Sequence, residues 1–221
     1  MTEKNNVGES ISAPNASWGF GKEVAKTFSN HVKRSVPLYD AGHDLVCKIS
    51  DYFLKDESVC YELGVSTGRL IESLANRHIN KKIRFIGLDI EEEMISQAQI
   101  EIGNVPNVKL VVDDINLFEY EPSDLIIAYY TIQFVPPKRR QDLINRIYKS
   151  LNWGGAFIFF EKVRACDARF QDMMTALYTD FKLDQNYTPD EVIAKSHSLK
   201  RDIRAFFYTG KHRSIKTCRF C

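Results

Sequence analysis

The stretch from Val59 to Leu70, VCYELGVSTGRL, constrains this chain more than any other. A short apolar run closes on an acid, breaks on glycines and resumes with helical spacing, which predicts a buried strand turning into a helix. Glu62 stands at the strand end, with Gly64, Val65, Ser66 and Gly68 in the turn. Gly64 can take a backbone angle that a side chain forbids, Gly68 lets the helix press close, and the turn N–H groups are expected to face whatever approaches. The pattern E-x-G-x-S-x-G is looser than the dinucleotide fingerprint G-x-G-x-x-G, because Ser66 replaces the middle glycine. Alone, it also fits a purely structural turn.

The sequel narrows the choice. Arg84 to Asp89, RFIGLD, predicts a second buried strand ending in an acid, and an acid there can accept two hydrogen bonds from a ribose diol. Ile90 and Met94 follow at once, Met94 close enough to pack on an adenine face or to fill the core. Val108 to Ile115, VKLVVDDI, ends a third strand in acid, with Asp114 and Ile115 within reach of an adenine amino group. Three strands ending in acids, the first followed by a glycine turn, predict an adenosine-bearing ligand without phosphate. A diphosphate beside Glu62, Asp89 and Asp114 would be repelled and a sulfonium attracted, so S-adenosyl-L-methionine fits best.

The remaining chain predicts an α/β fold. Before the first strand, WGFGKEVAKTFSNHVKRSVPLYDAGHDLVCKISDYFL carries Val24, Phe28, Val32, Leu45, Ile49 and Phe53 at helical spacing, interrupted by Pro37. Two helices joined at Arg34 to Tyr39 would lie near the cofactor mouth as a lid over residues 17–56. Tyr39 would then sit over the sulfonium, whose charge an aromatic face attracts, or cap the core. His31 and His43 read as surface or cap positions. Ser123 to Phe134 predicts a fourth strand that brings Tyr129, Tyr130 and Gln133 to the carboxyl edge, where ligands lie in such sheets. Arg139 to Leu151 reads as a helix capped by Gly154 and Gly155, and AFIFFE, Ala156 to Glu161, as a fifth strand buried on both faces. Strand and helix alternate throughout, which predicts a Rossmann-like, mostly parallel, doubly wound sheet. Phe170, Met173, Met174, Leu177 and Phe181 form a stripe read as core or cover, and Thr188 and Pro189 open the next helix. Residues 1–16 read as a flexible arm, 17–205 as the binding domain and 206–221 as a short basic tail.

With 221 residues, 30 Lys+Arg and 29 Asp+Glu, the chain has length for one full core and no charge excess that would drive it onto nucleic acid. The polar opening MTEKNNVGESISAPNAS lacks the apolar core of a signal peptide, and no apolar run has the length of a membrane span. A cytoplasmic protein is expected. Five cysteines, at 47, 60, 166, 218 and 221, suggest reduced thiols, and Cys218-x-x-Cys221 with His212 is half a zinc site at most, so no metal is expected.

From Trp18 through Ile203 the chain resembles the carboxy-S-adenosyl-L-methionine synthase family, class I methyltransferase-like proteins that serve the oxyacetic acid modification of wobble uridine in bacterial tRNA. The resemblance is carried by Trp18, Phe20, Val24-Ala25 and Phe28; by Arg34-Ser35-Val36-Pro37 and Tyr39; by Leu63-Gly64, Ser66 and Gly68; and by Asp89, Met94-Ile95 and Asp114-Ile115. Thr131, Gln133-Phe134, Leu151-Asn152, Gly154-Gly155-Ala156, Glu161-Lys162, Asp180-Phe181-Lys182 and Asn186-Tyr187 extend it. It implies cofactor contacts at Tyr39, Gly64 to Ser66, Asp89 and Asp114-Ile115. It also implies an asparagine where this chain has Tyr129, and a carboxylate-binding arginine where it has Ser196, with Lys195, His197 and Lys200 the nearest basic replacements. A hydroxyl does not replace a bidentate arginine. The family's closing strand pair is shortened or absent, which would leave a sheet edge for a dimer partner to cover.

Three reactions follow from this. The first is a transferase acting with S-adenosyl-L-methionine on a small-molecule or tRNA-pathway acceptor, with Tyr39 and Tyr129 flanking the sulfonium and Tyr130, Gln133 and Arg34 facing the acceptor. The second is the family reaction, in which prephenate carboxylates the cofactor methyl and leaves as phenylpyruvate. The third is cyclisation or cleavage of the cofactor itself, or its binding without turnover. A homodimer with a small-molecule substrate and no direct nucleic-acid contact is expected.

Overall fold

The computed structural model describes residues 22–199, side chains from 24, together with the backbone of Asn5–Asn6, Ser12–Ala13 and Phe206–Phe207. Of the predicted arm only Asn5–Asn6 and Ser12–Ala13 are described, paired antiparallel, and of the predicted tail only Phe206–Phe207, paired with Val163–Arg164. Trp18, Phe20, His212, Cys218 and Cys221 lie outside the described residues. Five parallel strands form the sheet: β1 Val59–Leu63, β2 Arg84–Asp89, β3 Val108–Val112, β4 Ser123–Tyr129 and β5 Leu151–Phe160, in the order β3-β2-β1-β4-β5. The helices are α1 Lys22–Ser35, α2 Tyr39–Ser50, α3 Arg69–Arg77, α4 Glu92–Ile102, α5 Pro137–Ser150, α6 Ala168–Asp184 and α7 Pro189–Ser198. This is the class I methyltransferase-like, doubly wound arrangement expected of the chain.

Successive strand residues point to opposite faces, and the packing follows that period. Cys60, Phe85, Leu125 and Ile127 pack with Val46 of α2, Leu70, Ile71 and Leu74 of α3, and Ile95 and Ile102 of α4. Tyr61, Ile86, Ile126 and Ala128 pack with Leu143 and Ile147 of α5 on the other face. Strand order reverses between β1 and β4, whose carboxyl ends therefore open the crevice in which such sheets take ligands.

Several expectations are corrected here. The inward face of α2 is Gly42, Val46, Cys47 and Ser50, and Leu45 is exposed. His31 is buried, not a surface residue. Gly154 and Gly155 do not cap α5, which ends at Ser150; they lie within β5, where the register slips between Ser123 and Leu125 of β4. Gly154 has φ +82°, and a Cβ on Gly155 would press on main-chain oxygens of Ser123 and Asp124. Nor is β5 buried on both faces, since Phe159 is 47% exposed and no described strand pairs with its outer edge. The α6 stripe is not core: Phe170, Met173, Met174 and Leu177 are all exposed. Thr188 caps α7 with Glu191 completing the reciprocal pair. No helix among the described residues is long and apolar enough to cross a membrane.

Candidate active site

The glycine turn folds as its sequence demands, but its N–H groups face inward. Gly64 and Val65 donate to Leu88 O at 2.7 and 2.9 Å, and Gly68 to Val65 O at 2.9 Å. Ser66, held at φ +54°, donates to Asp89 Oδ2 at 2.9 Å. The turn is therefore no phosphate cradle, in keeping with a ligand that has no phosphate. Gly64 has φ +71°, and a Cβ there would collide with Thr131, whose hydroxyl donates to Leu63 O at 2.7 Å. Two carboxyl ends of neighbouring strands meet at that point.

Glu62 is fully enclosed. One carboxyl oxygen accepts the Ile71 N–H at the start of α3, while Oε2 has no partner. Burial drives its pKa well above the usual carboxyl range, and Asp89 adds to the shift. An orphaned buried oxygen of this kind fits an ammonium group. Asp89 accepts Ser66 N–H on one oxygen and Glu91 N–H, at 3.1 Å, on the other, with Ile90 N–H a third donor, which aims the carboxyl and leaves acceptor capacity for a diol. Burial also raises its pKa. Beside it Ile90 is 63% exposed, a bare apolar surface next to the diol position. Asp114 Oδ1 accepts from Asn116 main chain and side chain at 2.9 and 2.6 Å, and Oδ2 faces Arg139 at 3.6 Å.

Three rings form the opposite wall. Tyr39, the first residue of α2, lies 4.6 Å from His43 and 5.2 Å from Tyr129 by ring centroid, and His43 lies 4.6 Å from Tyr129. Burial, then Glu62, raises the Tyr39 pKa, so the phenol stays neutral near that acid. Burial lowers His43 to about 4, so the ring is uncharged at neutral pH. Tyr129 donates to Tyr39 O at 2.7 Å.

Behind the α1–α2 joint lies a second, basic cluster. Lys182 of α6 is 2% exposed, its ammonium 5.3 Å from the Tyr178 ring centroid and 5.1 Å from that of Tyr187. Burial, then Lys162, lowers its pKa to about 8. Lys195 of α7 bonds His31 Nε2 at 2.8 Å, and burial followed by the charges of Lys195, Lys182 and Arg34 takes His31 down to about 3. Tyr178 donates to Ser35 O at 2.9 Å, joining the cluster to the end of α1.

A family model described as a methyltransferase domain matches residues 61–155. Carboxy-S-adenosyl-L-methionine synthase of Staphylococcus epidermidis is 31% identical over 204 residues, 92% of this chain and 89% of that protein. The synthase of Ruthia magnifica is 34% identical over 186 residues, 83% and 78% of the two chains. The chain belongs to the carboxy-S-adenosyl-L-methionine synthase family. It is a methyltransferase-like transferase that depends on S-adenosyl-L-methionine. A plantazolicin methyltransferase solved with S-adenosylhomocysteine shares the fold, with TM-score 0.58 and 17% identity over 78% of this chain and 61% of that one. So does a methyltransferase-like protein of Methanococcus maripaludis, with TM-score 0.56 and 18% identity over 83% and 84%.

Within this family member, Tyr39, Glu62, Gly64, Ser66, Asp89, Asp114 and Tyr129 gather at the carboxyl ends of β1, β2, β3 and β4. Val65, Met94 and Ile115 are core residues, 2%, 1% and 8% exposed; Met94 packs under Val24 and Ala25 of α1. Gln133 is buried, its side-chain oxygen accepting Lys162 N–H at 3.2 Å. Arg34 donates to Gln185 O at 3.0 and 2.7 Å and lies over the Tyr187 ring. Tyr130 is half-buried against Tyr129 and Phe160. Ser196, at the family arginine position, is exposed, while Lys195 turns inward. Sequence reasoning missed His43, Lys182 and Glu161. A lysine four residues after Tyr178 on one helix face, and a fourth acid at a strand end, were the available signals.

Proposed function

We propose that this chain makes carboxy-S-adenosyl-L-methionine from S-adenosyl-L-methionine and prephenate. Lys182 carries the proposal: a buried ammonium with no ion pair among the described residues, set between two tyrosine rings, awaits an anion. In the reaction prephenate loses its ring carboxylate and hydroxyl and becomes phenylpyruvate. The lost carbon joins the cofactor methyl, and the displaced methyl proton leaves with the hydroxyl as water. Glu62, Asp89 and Asp114 would hold the ammonium, ribose and adenine ends, with Ile90 against the base. Tyr39, Tyr129 and His43, all uncharged, would wall the sulfonium, beneath a lid of α1 and α2. Rate then comes from positioning and from charge placed where the donor's carboxylates lie.

Ser196, exposed where relatives' arginine is implied, favours a second reading: methyl transfer to a small acceptor. A second copy packing on the exposed α6 stripe and the open β5 edge is the expected assembly, in the cytoplasm, with no direct nucleic-acid contact. Mass spectrometry of the small molecule released from fresh protein, then of incubations with and without prephenate, separates the readings. Carboxylated cofactor bound at isolation, or formed only with prephenate, supports the synthase. Plain or demethylated cofactor, indifferent to prephenate, removes it.

A further inference from the structure

The geometry points to Glu161 as a positioning residue, whose carboxylate ties the exit of β5 to the turn after β4 and so holds Tyr130 and Thr131 where cofactor binding needs them. Glu161 Oε1 accepts the Ile132 N–H at 2.7 Å and Oε2 the Gln133 N–H at 2.9 Å. Those donors open a single 3-10 turn, Ile132–Phe134, too short to supply acceptors for them itself. The tie is returned twice: Tyr130 N–H reaches Phe160 O at 2.8 Å, and Lys162 N–H reaches Gln133 Oε1 at 3.2 Å. Three successive residues at the end of β5 thus clasp the residues that leave β4.

What is clasped does not hold itself. Tyr130 sits at φ +57°, a left-handed conformation that is strained for a non-glycine residue. Thr131 follows, and its hydroxyl rests on Leu63 O against the bare α-carbon of Gly64. Freed from Glu161, this turn has an easy relaxation, and relaxation withdraws Thr131 from the glycine turn that seats the cofactor. The groups facing the carboxyl are Tyr130 from the β4 exit and Arg140 from α5, with Lys162 next in the chain. Burial raises the Glu161 pKa to about 7 against the two N–H bonds and Arg140, so its ionisation changes near neutrality. The two N–H bonds lower the pKa that burial raises, so when the turn opens with the carboxyl still buried the protonated form gains. The ionised carboxylate is therefore the tighter clasp. Global unfolding, which ends the burial, has the opposite sign.

The test reads binding, not turnover, so it stands apart from the choice of reaction. Hydrogen exchange at Ile132 and Gln133 and calorimetry of S-adenosyl-L-methionine binding are followed from about pH 6 to 8 in wild type and E161Q. Wild type is expected to lose protection at both amides, and affinity with it, as pH falls below about 7. E161Q should exchange faster, bind about tenfold more weakly at the upper pH, and show no slope. A flat wild-type profile overturns the inference without need of the variant. Faster exchange in E161Q with wild-type affinity and slope leaves Glu161 a purely structural tie and overturns it equally.

Discussion

The Tyr129 hydroxyl donates to the main-chain oxygen of Tyr39 at 2.7 Å, so the last residue of β4 holds the first residue of α2. Gly42 makes the approach feasible, since a Cβ there would fall inside the Tyr129 hydroxyl. Y129F should lose about 1 kcal/mol in urea unfolding, the worth of one hydrogen bond. G42A should cost more, and its cost should shrink in a Y129N background, where the ring is gone. An equal G42A penalty in both backgrounds would refute the steric coupling.

Glu62 predicts proton release. Burial pushes its carboxyl well above the usual range, Oε2 is unpartnered, and an arriving ammonium would favour the ionised form. Cofactor binding should therefore be accompanied by proton release, visible as a dependence of binding enthalpy on buffer ionisation enthalpy. E62Q should bind more weakly and release none. Buffer-independent enthalpy in wild type would place the ammonium elsewhere.

The same burial sets the pH dependence of stability. Glu62, Asp89 and Glu161 all have raised folded pKa values. A carboxyl raised on folding contributes stability that is full below its unfolded pKa and lost as pH rises through the folded one. For Glu161 that window runs from 4.5 to about 7. The lowered pKa values of His31, His43 and His78 act in the opposite sense as pH rises past 6.5, so the Glu161 part is read as a difference. The Tm advantage of wild type over E161Q should shrink from about pH 5 to about pH 8. A difference that stays constant or grows across this interval contradicts the assignment.

The glycine turn can be tested at two positions. G64A meets both a positive φ and Thr131, and should lose cofactor affinity by more than about tenfold. S66G removes a side chain from a left-handed position and keeps the N–H bond to Asp89, so thermal stability should hold or rise slightly. Binding by isothermal calorimetry that survives G64A but fails in S66G would reverse the order of importance.

What the sequence made legible was what depends on periodicity and turn chemistry. Acids at strand ends, apolar runs and glycines placed β1 through β4 and the helices between them, because each signal is local. The side chains facing inward from α2 and α6 were harder. Leu45 fits the helical spacing as well as Val46 does, and only the tertiary partner decides between them. The α6 stripe fits core or cover equally, because amphipathicity records an apolar face without naming what covers it. Gly154 and Gly155 suit a helix cap by local signal alone, because the strand bulge that needs them is a register event between β4 and β5. Glu161 and Lys182 escaped because their partners, the Ile132 N–H and the Tyr187 ring, come from other elements.

Lys182 yields the most discriminating substitution. Its pKa falls from 10.5 to about 8, a penalty on the order of 3 kcal/mol on keeping the ammonium charged in place. A lysine lowered on folding gives up stability at neutral pH that returns as pH rises from the folded toward the unfolded value. Methionine has nearly the same length and no charge, so K182M should raise Tm at pH 7, and the gain should fade toward about pH 10. Function should move the opposite way. KM for prephenate should rise at least about tenfold, as expected for loss of one charged contact, while S-adenosyl-L-methionine affinity stays within about twofold. Higher stability with unchanged KM would make Lys182 a structural lysine among aromatic rings and leave the donor's carboxylates to be held elsewhere.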